Sequence, residues 1–151
     1  MRWFLVAPFV AFAIPVSAQQ LSSYPVLNHG RLAGEMSVRR SGDTVVVRYI
    51  YVDRNRGQRI EARYAMGDGT RPQAGQLRPL DQAGVPGEPT VRYELGRDGY
   101  VWAARGGRGA MQGEERAGTA PSSVGTFFVM GGTPYDDWLL VRHLLAQPAW
   151  R

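Results

Sequence analysis

Few residues of this chain carry side chains suited to catalysis. His29 and His143 are the two histidines, and neither cysteine nor lysine occurs. A metal site needs several converging ligands, and no HxH or HExxH spacing is present. We therefore expect both histidines to be surface or packing residues. Without cysteine there is also no thiolate nucleophile and no Cys-based metal centre.

Other catalytic arrangements have equally little support. A nucleophile, base and orienting acid can be drawn from Ser122 or Ser123 with His143 and Asp136, but no nucleophile elbow surrounds either serine. Gly106-Gly107 is not a phosphate loop, because no GKS or GKT sequence follows. The sequence predicts no catalytic residue, no metal ligand and no cofactor.

Aromatic residues alternate with arginines along the β-rich segments. The net charge of +5 comes from 18 arginines that are interspersed with 13 acids rather than clustered, so we predict no nucleic-acid partner. Aromatic residues at period two usually form core and cross-strand pairs. If a curved sheet instead holds an apolar ligand, the candidate lining residues are Tyr49, Tyr64 and Trp102.

The segment that must position these side chains is a predicted β-meander over Arg31–Met66. A strand at Tyr24–Leu27 and a turn at Asn28–Gly30 precede it, since Asn and Gly tolerate positive φ. The strand Thr44–Val52 has two apolar faces, which predicts a central strand covered on both sides, with a helix on one of them.

The rest of the chain mixes loops with a second hairpin. Residues 67–89 contain prolines at four sites, which predicts a long loop with an edge segment near Leu77. The hairpin covers 90–104, and residues 106–123 are expected to be another loop. Residues 126–130 are expected to be a short strand or a buried segment.

A single helix is predicted near the C-terminus. Thr133 is the expected N-cap, Pro134 the first helical residue, and two acids follow in the first turn. Pro148 is expected to end the helix. The predicted fold class is mainly β: a curved antiparallel sheet of meander and hairpins with one C-terminal α-helix packed on it.

The first 18 residues have the features of a Sec-type signal peptide. One arginine precedes an apolar run that ends at Val16-Ser17-Ala18, a small-residue cleavage pattern. We expect cleavage before Gln19, export to the periplasm or beyond, and no stable membrane anchor, because the run is short for a span. Residues 19–151 are then one β-rich domain, and the abrupt stop after the helix is expected of a fragment.

The order of these elements resembles the N-terminal β-rich region of exported bacterial amidohydrolase-family proteins. The matching stretches are NHGRLAGEMSVRRSGDTVVVRYIYVDRNRGQRIEARYAMGDGTRP and VRYELGRDGYVWAA, with Gly30, Gly34, Gly42-Asp43, Asp53-Arg54-Asn55-Arg56-Gly57, Glu61, Gly99 and Trp102. In that group the region precedes a metal-dependent hydrolase barrel. The barrel's HxH pair and bridging lysine are missing from this chain, so its chemistry does not carry over.

Three functional hypotheses follow. The resemblance implies a non-catalytic accessory domain of an amidohydrolase-like protein, acting in packing or substrate access, with the catalytic domain of the parent chain as its partner. The second is a free-standing periplasmic binding protein that holds an apolar or amphipathic ligand on its curved sheet. The third is a small enzyme that uses His143.

Overall fold

Eight strands form one antiparallel sheet, in which each strand pairs with its neighbours in the chain. The computed structural model describes residues 19–54, 56–67, 70–106, 115–121 and 127–147. The sheet is not closed, and its order is β1 to β8. The strands are β1 (Gln20–Asn28), β2 (Arg31–Ser41), β3 (Thr44–Asp53), β4 (Arg56–Met66), β5 (Pro72–Pro79), β6 (Val91–Gly96), β7 (Gly99–Arg105) and β8 (Glu115–Ala120), followed by the helix α1 (Pro134–Ala146).

The predicted meander and its first turn are confirmed. Asn28 pairs with Arg31, so His29 and Gly30 form a two-residue turn. Both have positive φ, 48° and 78°, as the turn type that matches strand twist requires. A similar short turn joins β2 to β3 at Gly42, where φ is 55°. The fold class, a mainly β sheet with one C-terminal helix, is also confirmed.

Two predicted loops are wrong in part. Residues 67–89 include β5, which lies between β4 and β6 rather than at an edge. Its prolines are tolerated because Pro72 and Pro79 are the first and last residues of the strand. Residues 106–123 include β8, whose composition of small residues gave no strand signal but which pairs along β7.

The core lies on one face of the sheet, here called the inner face and defined by Val45, Val47, Tyr49, Ala62 and Tyr64. Further buried side chains on this face come from β5, β6 and β7. One row of register partners crosses all eight strands on this face: Gln20, Arg40, Val45, Tyr64, Gly75, Tyr93, Trp102 and Gly118. The row runs from polar residues at β1 and β2 to aromatic residues at β6 and β7.

Residues 127–133, here called the return segment, lie with α1 across the inner face and cover its centre. The Phe128 ring lies 4.6 Å from the Tyr93 ring between centroids, and the Gln58 side-chain amide donates to the Gly132 carbonyl at 3.3 Å. The predicted helix start at Thr133 and Pro134 is confirmed. Residues 127–130 are not a strand: Met130 is buried and the two phenylalanines are half-buried against the core, whereas Val129 is exposed. Burial of apolar side chains between the sheet and the segment that packs on it stabilises this arrangement.

The opposite, outer face of β3 is only partly covered. Val46 and Ile50 are half-buried there, and Val52 is exposed. Arg48 on β3 forms an ion pair with Glu61 on β4, with Nε and Oε2 2.9 Å apart. Glu61 is 5% exposed, so the arginine compensates a carboxylate that is largely removed from water.

Several predictions fall outside the described residues. The signal peptide at 1–18, the serines at 122 and 123 and the helix stop at Pro148 are among them. In the described part of the chain, no helix is both long enough and apolar enough to cross a membrane.

Candidate functional site

A groove lies beside the core, between the first two strands and the start of α1. The helix covers the centre of the inner face and leaves this face of β1 and β2 open. The groove encloses about 330 Å³, at the small end of the ~300–1,000 Å³ typical of ligand pockets. It is lined by Gln20, Ser22, Tyr24, Met36, Val38, Arg40, Pro134, Tyr135 and Trp138.

The floor of the groove changes from polar to apolar along the strands. It consists of three successive pairs of register partners on β1 and β2: Gln20 with Arg40, Ser22 with Val38, and Tyr24 with Met36. Because side chains alternate between faces along a strand, all six point to the inner face. The groove therefore has a polar end at Arg40 and an apolar, aromatic end at Met36.

The wall of the groove is one side of α1. Tyr135 and Trp138 stack with ring centroids 5.0 Å apart, and the Arg142 guanidinium lies 5.3 Å from the centroid of the Trp138 ring. The spacings of three and four residues place these side chains on neighbouring turns of one helix side. Trp138 is 48% exposed, so its indole remains accessible to a ligand.

The charge of the groove is positive. Arg40 is the one ionised residue among those that line it, and Asp137 lies about 200° around the helix from Tyr135. Burial raises the pKa of Tyr135, and the charges of Arg142 and Arg40 oppose that rise. Both guanidinium groups therefore act electrostatically on the Tyr135 hydroxyl.

A buried carboxylate fixes the helix against the sheet and so positions the wall. Asp136 is 2% exposed, and its Oδ1 accepts a 2.8 Å hydrogen bond from the Tyr64 hydroxyl. Its Oδ2 accepts from the backbone N–H groups of Gly132 and Thr133, each at 3.2 Å. These bonds replace the water that the carboxylate loses on burial. They also fix the first turn of α1, so that the preceding residue, Tyr135, lines the groove.

The three predicted ligand-lining residues do not lie in this groove. Tyr49 and Tyr64 are in the core, where Tyr64 packs against Tyr135 with ring centroids 5.8 Å apart. Trp102 is half-buried, and its indole lies against Gly118, its register partner on β8. All three share the inner face, but the chain's own return segment and helix occupy its centre. Their role in ligand binding stays a prediction.

The histidines occupy different environments. His29 is exposed in the first turn. His143 is buried at 6% exposure beside Phe127, with the ring centroids 5.3 Å apart, and within the described part of the chain its Nδ1 has no hydrogen-bond partner. Asp136 bonds to Tyr64 rather than to His143. The described residues contain no group of three or more His, Asp or Glu that could hold a metal ion.

Sequence reasoning missed most of this groove. The alternation Met36, Val38, Arg40 on one face of β2 was readable as an apolar stripe ending in a charge. The spacing of Trp138 and Arg142 was readable as an exposed helical pair. Neither signal indicates that the two elements face each other, because that depends on where the helix is fixed.

Comparisons with known proteins leave the groove as the main guide to function. No protein-family model matches the chain, and neither the curated proteins nor the solved structures contain a match. The likeness to the N-terminal region of amidohydrolase-family proteins therefore stays a prediction, as does the accessory role that it implies.

Proposed function

We propose that this protein binds a small amphipathic molecule in the groove between β1–β2 and α1. The observation that carries the proposal is the gradient along the groove, from Arg40 and Gln20 at one end to Tyr24 and Met36 at the other. A ligand with a polar head and an apolar body matches this gradient in one orientation. Ligand sites commonly combine apolar walls with a few placed polar groups.

The aromatic side chains support binding rather than mere surface exposure. Tyr24 and Trp138 are each 48% exposed. Tyr24 belongs to the apolar end of the floor, and Trp138 belongs to the wall beside it. Covering such rings and the floor would remove apolar area from water, which is worth about 25 cal/mol per Å². The rings have few rotatable bonds, so ordering them costs little conformational entropy.

The catalytic alternative has no comparable support. His143 is buried beside Phe127 and is not among the residues that line the groove. The accessory-domain hypothesis requires a catalytic domain in the same parent chain, and a test of it needs sequence beyond Arg151. Binding in the groove can be tested on this chain directly.

The test uses decanol and methionine methyl NMR. We expect saturable binding that shifts the Met36 methyl resonance and the Trp138 indole N–H resonance. The methyl resonance of Met66, which is buried in the core, should move far less and serves as the internal control. Equal shifts at both methionines, or none at saturating decanol, would refute binding in the groove.

A matched pair of variants fills one face of β1 or the other. Ser22 lines the groove, whereas Ser23 points to the outer face and bonds to Glu35. Ser22→Trp should abolish binding because the indole occupies the groove floor, and Ser23→Trp should leave it intact. Loss of binding in Ser23→Trp but not in Ser22→Trp would indicate that the ligand binds outside the groove.

A further inference from the structure

Building on the proposed function, we infer that the ligand is an acid: a free fatty-acid-like monocarboxylate whose carboxylate is held by Arg40. The apolar chain then runs along the floor towards Tyr24 and Met36, and Arg142 adds a second positive charge at the wall. The preference for an acidic head group follows from the placement of the two positive charges. The single short chain follows from the size of the groove.

Arg40 has spare donor capacity for an anion. Its side chain is exposed, and the hydrogen bond it makes is from Nε to the Gly42 carbonyl at 3.5 Å, the long limit for such a bond. A guanidinium carries five N–H donors in a planar fork. That fork suits the two oxygens of a carboxylate, which it can bind in a bidentate manner.

The surroundings of Arg40 favour an incoming anion over an internal partner. No Asp or Glu is among the groove-lining residues. Arg142 sits on the same helix side as Tyr135, above the Trp138 ring, and both arginines influence the Tyr135 hydroxyl. An anion near this hydroxyl would meet two positive charges and a hydroxyl donor, whereas a cationic head group would be repelled.

The groove's dimensions point to a single short chain. A volume of about 330 Å³ is at the small end of the ~300–1,000 Å³ typical of ligand pockets. It suits one short alkyl chain, which a ten-carbon probe represents. Helix and sheet bound the groove on two sides, which suits a free molecule that enters the groove better than a flat lipid surface.

The inference is tested with three probes that share a ten-carbon chain and differ in head group. Decanoate and decyltrimethylammonium are titrated below their micelle concentrations and decanol below its solubility limit, with the Met36 methyl resonance reporting occupancy. We expect decanoate to bind about tenfold more tightly than decanol, because hydrogen bonds between a guanidinium and a carboxylate are stronger than those to a neutral hydroxyl; tenfold corresponds to ~1.4 kcal/mol. Decyltrimethylammonium should bind more weakly than decanol.

Arg40 and Arg39 provide a matched pair for the head-group contact. They are adjacent on β2, both exposed, and point to opposite faces. Arg40→Gln should weaken decanoate about tenfold and change decanol less than about twofold, and Arg39→Gln should change neither. Arg40→Lys keeps the charge without the fork and should retain part of the preference. Added salt should weaken decanoate but not decanol.

The outcomes separate this inference from the proposed function. If decanol and decanoate bind equally and Arg40→Gln affects neither, the acidic head group is refuted while the groove remains a binding site. If no probe moves the Met36 resonance, both ideas fail. Co-sedimentation with phosphatidylglycerol vesicles, without saturable decanoate binding, would identify a membrane surface instead and overturn the inference.

Discussion

The hydroxyl of Tyr64 on β4 donates a 2.8 Å hydrogen bond to the carboxylate of Asp136 in the first turn of α1. Both side chains are almost fully buried. The bond joins the centre of the sheet to the helix that forms the wall of the groove, so it links the stability of the domain to the geometry of its candidate site.

Tyr64→Phe should lower the free energy of unfolding by about 1–3 kcal/mol, because it leaves a buried carboxylate oxygen without its donor. Chemical denaturation would measure the change. Tyr93→Phe is the control: its hydroxyl is buried and has no hydrogen-bond partner among the described residues, so its loss should change stability by less than about 1 kcal/mol. A double-mutant cycle with Asp136→Asn should be non-additive. Equal effects of the two Tyr→Phe changes would contradict the assigned bond.

Stability should fall steeply above pH 10. Burial raises the pKa of Tyr64 and of Tyr93 well above the ordinary value of 10.0. Above pH 10 the unfolded chain loses these protons while the folded chain keeps them, so each such tyrosine destabilises the fold by about 1.4 kcal/mol per pH unit. Below pH 10 the two tyrosines contribute no pH dependence.

The absence of lysine and cysteine makes this alkaline experiment unusually direct. Between about pH 9 and 12 tyrosine is the side chain that titrates, since arginine remains charged. Denaturation midpoints measured across this range should fall as the pH rises, and unfolding there should be accompanied by an increase in tyrosinate absorbance. Tyr93→Phe should make the decline shallower. A flat profile to pH 12 would mean that the buried tyrosines ionise as readily folded as unfolded.

Gly75→Ala should destabilise the domain through steric conflict in the core. Gly75 is the register partner of Tyr93, and an added Cβ would clash with the Tyr93 ring. Overpacking of this kind costs ~1–3 kcal/mol. Gly96→Ala is a suitable control, because its Cβ would meet one backbone oxygen at 3.5 Å. Thermal unfolding compares the two, and a Gly75→Ala protein as stable as the control would show that the ring can move aside.

The sheet was largely readable from the sequence because its strands alternate clearly between apolar and polar residues. β5 is not predicted because a segment rich in proline disfavours a central strand. Two of its prolines, Pro72 and Pro79, stand at the ends of the strand, where they are tolerated. β8 was missed because ERAGTA has little intrinsic strand preference. Its pairing with β7 places Gly118 beneath the Trp102 ring, a tertiary contact that no local pattern encodes.

The groove was harder to predict for a related reason. Asp136 looked like an ordinary acid at a helix start, where the dipole accounts for it. Its second role, accepting the bond from Tyr64, joins residues 72 positions apart in the chain. The lateral position of α1, and hence which part of the inner face stays open, depends on that long-range contact.

The pairing of each strand with its sequence neighbours also has a consequence for the order of assembly. Hairpins close short loops, so the sheet can grow strand by strand at low entropic cost. The Tyr64–Asp136 contact must wait for α1, which follows all eight strands in the chain. We therefore expect the helix to dock late, onto a sheet already formed. Until then the apolar inner face is bare, and a growing chain is most vulnerable to aggregation at this stage.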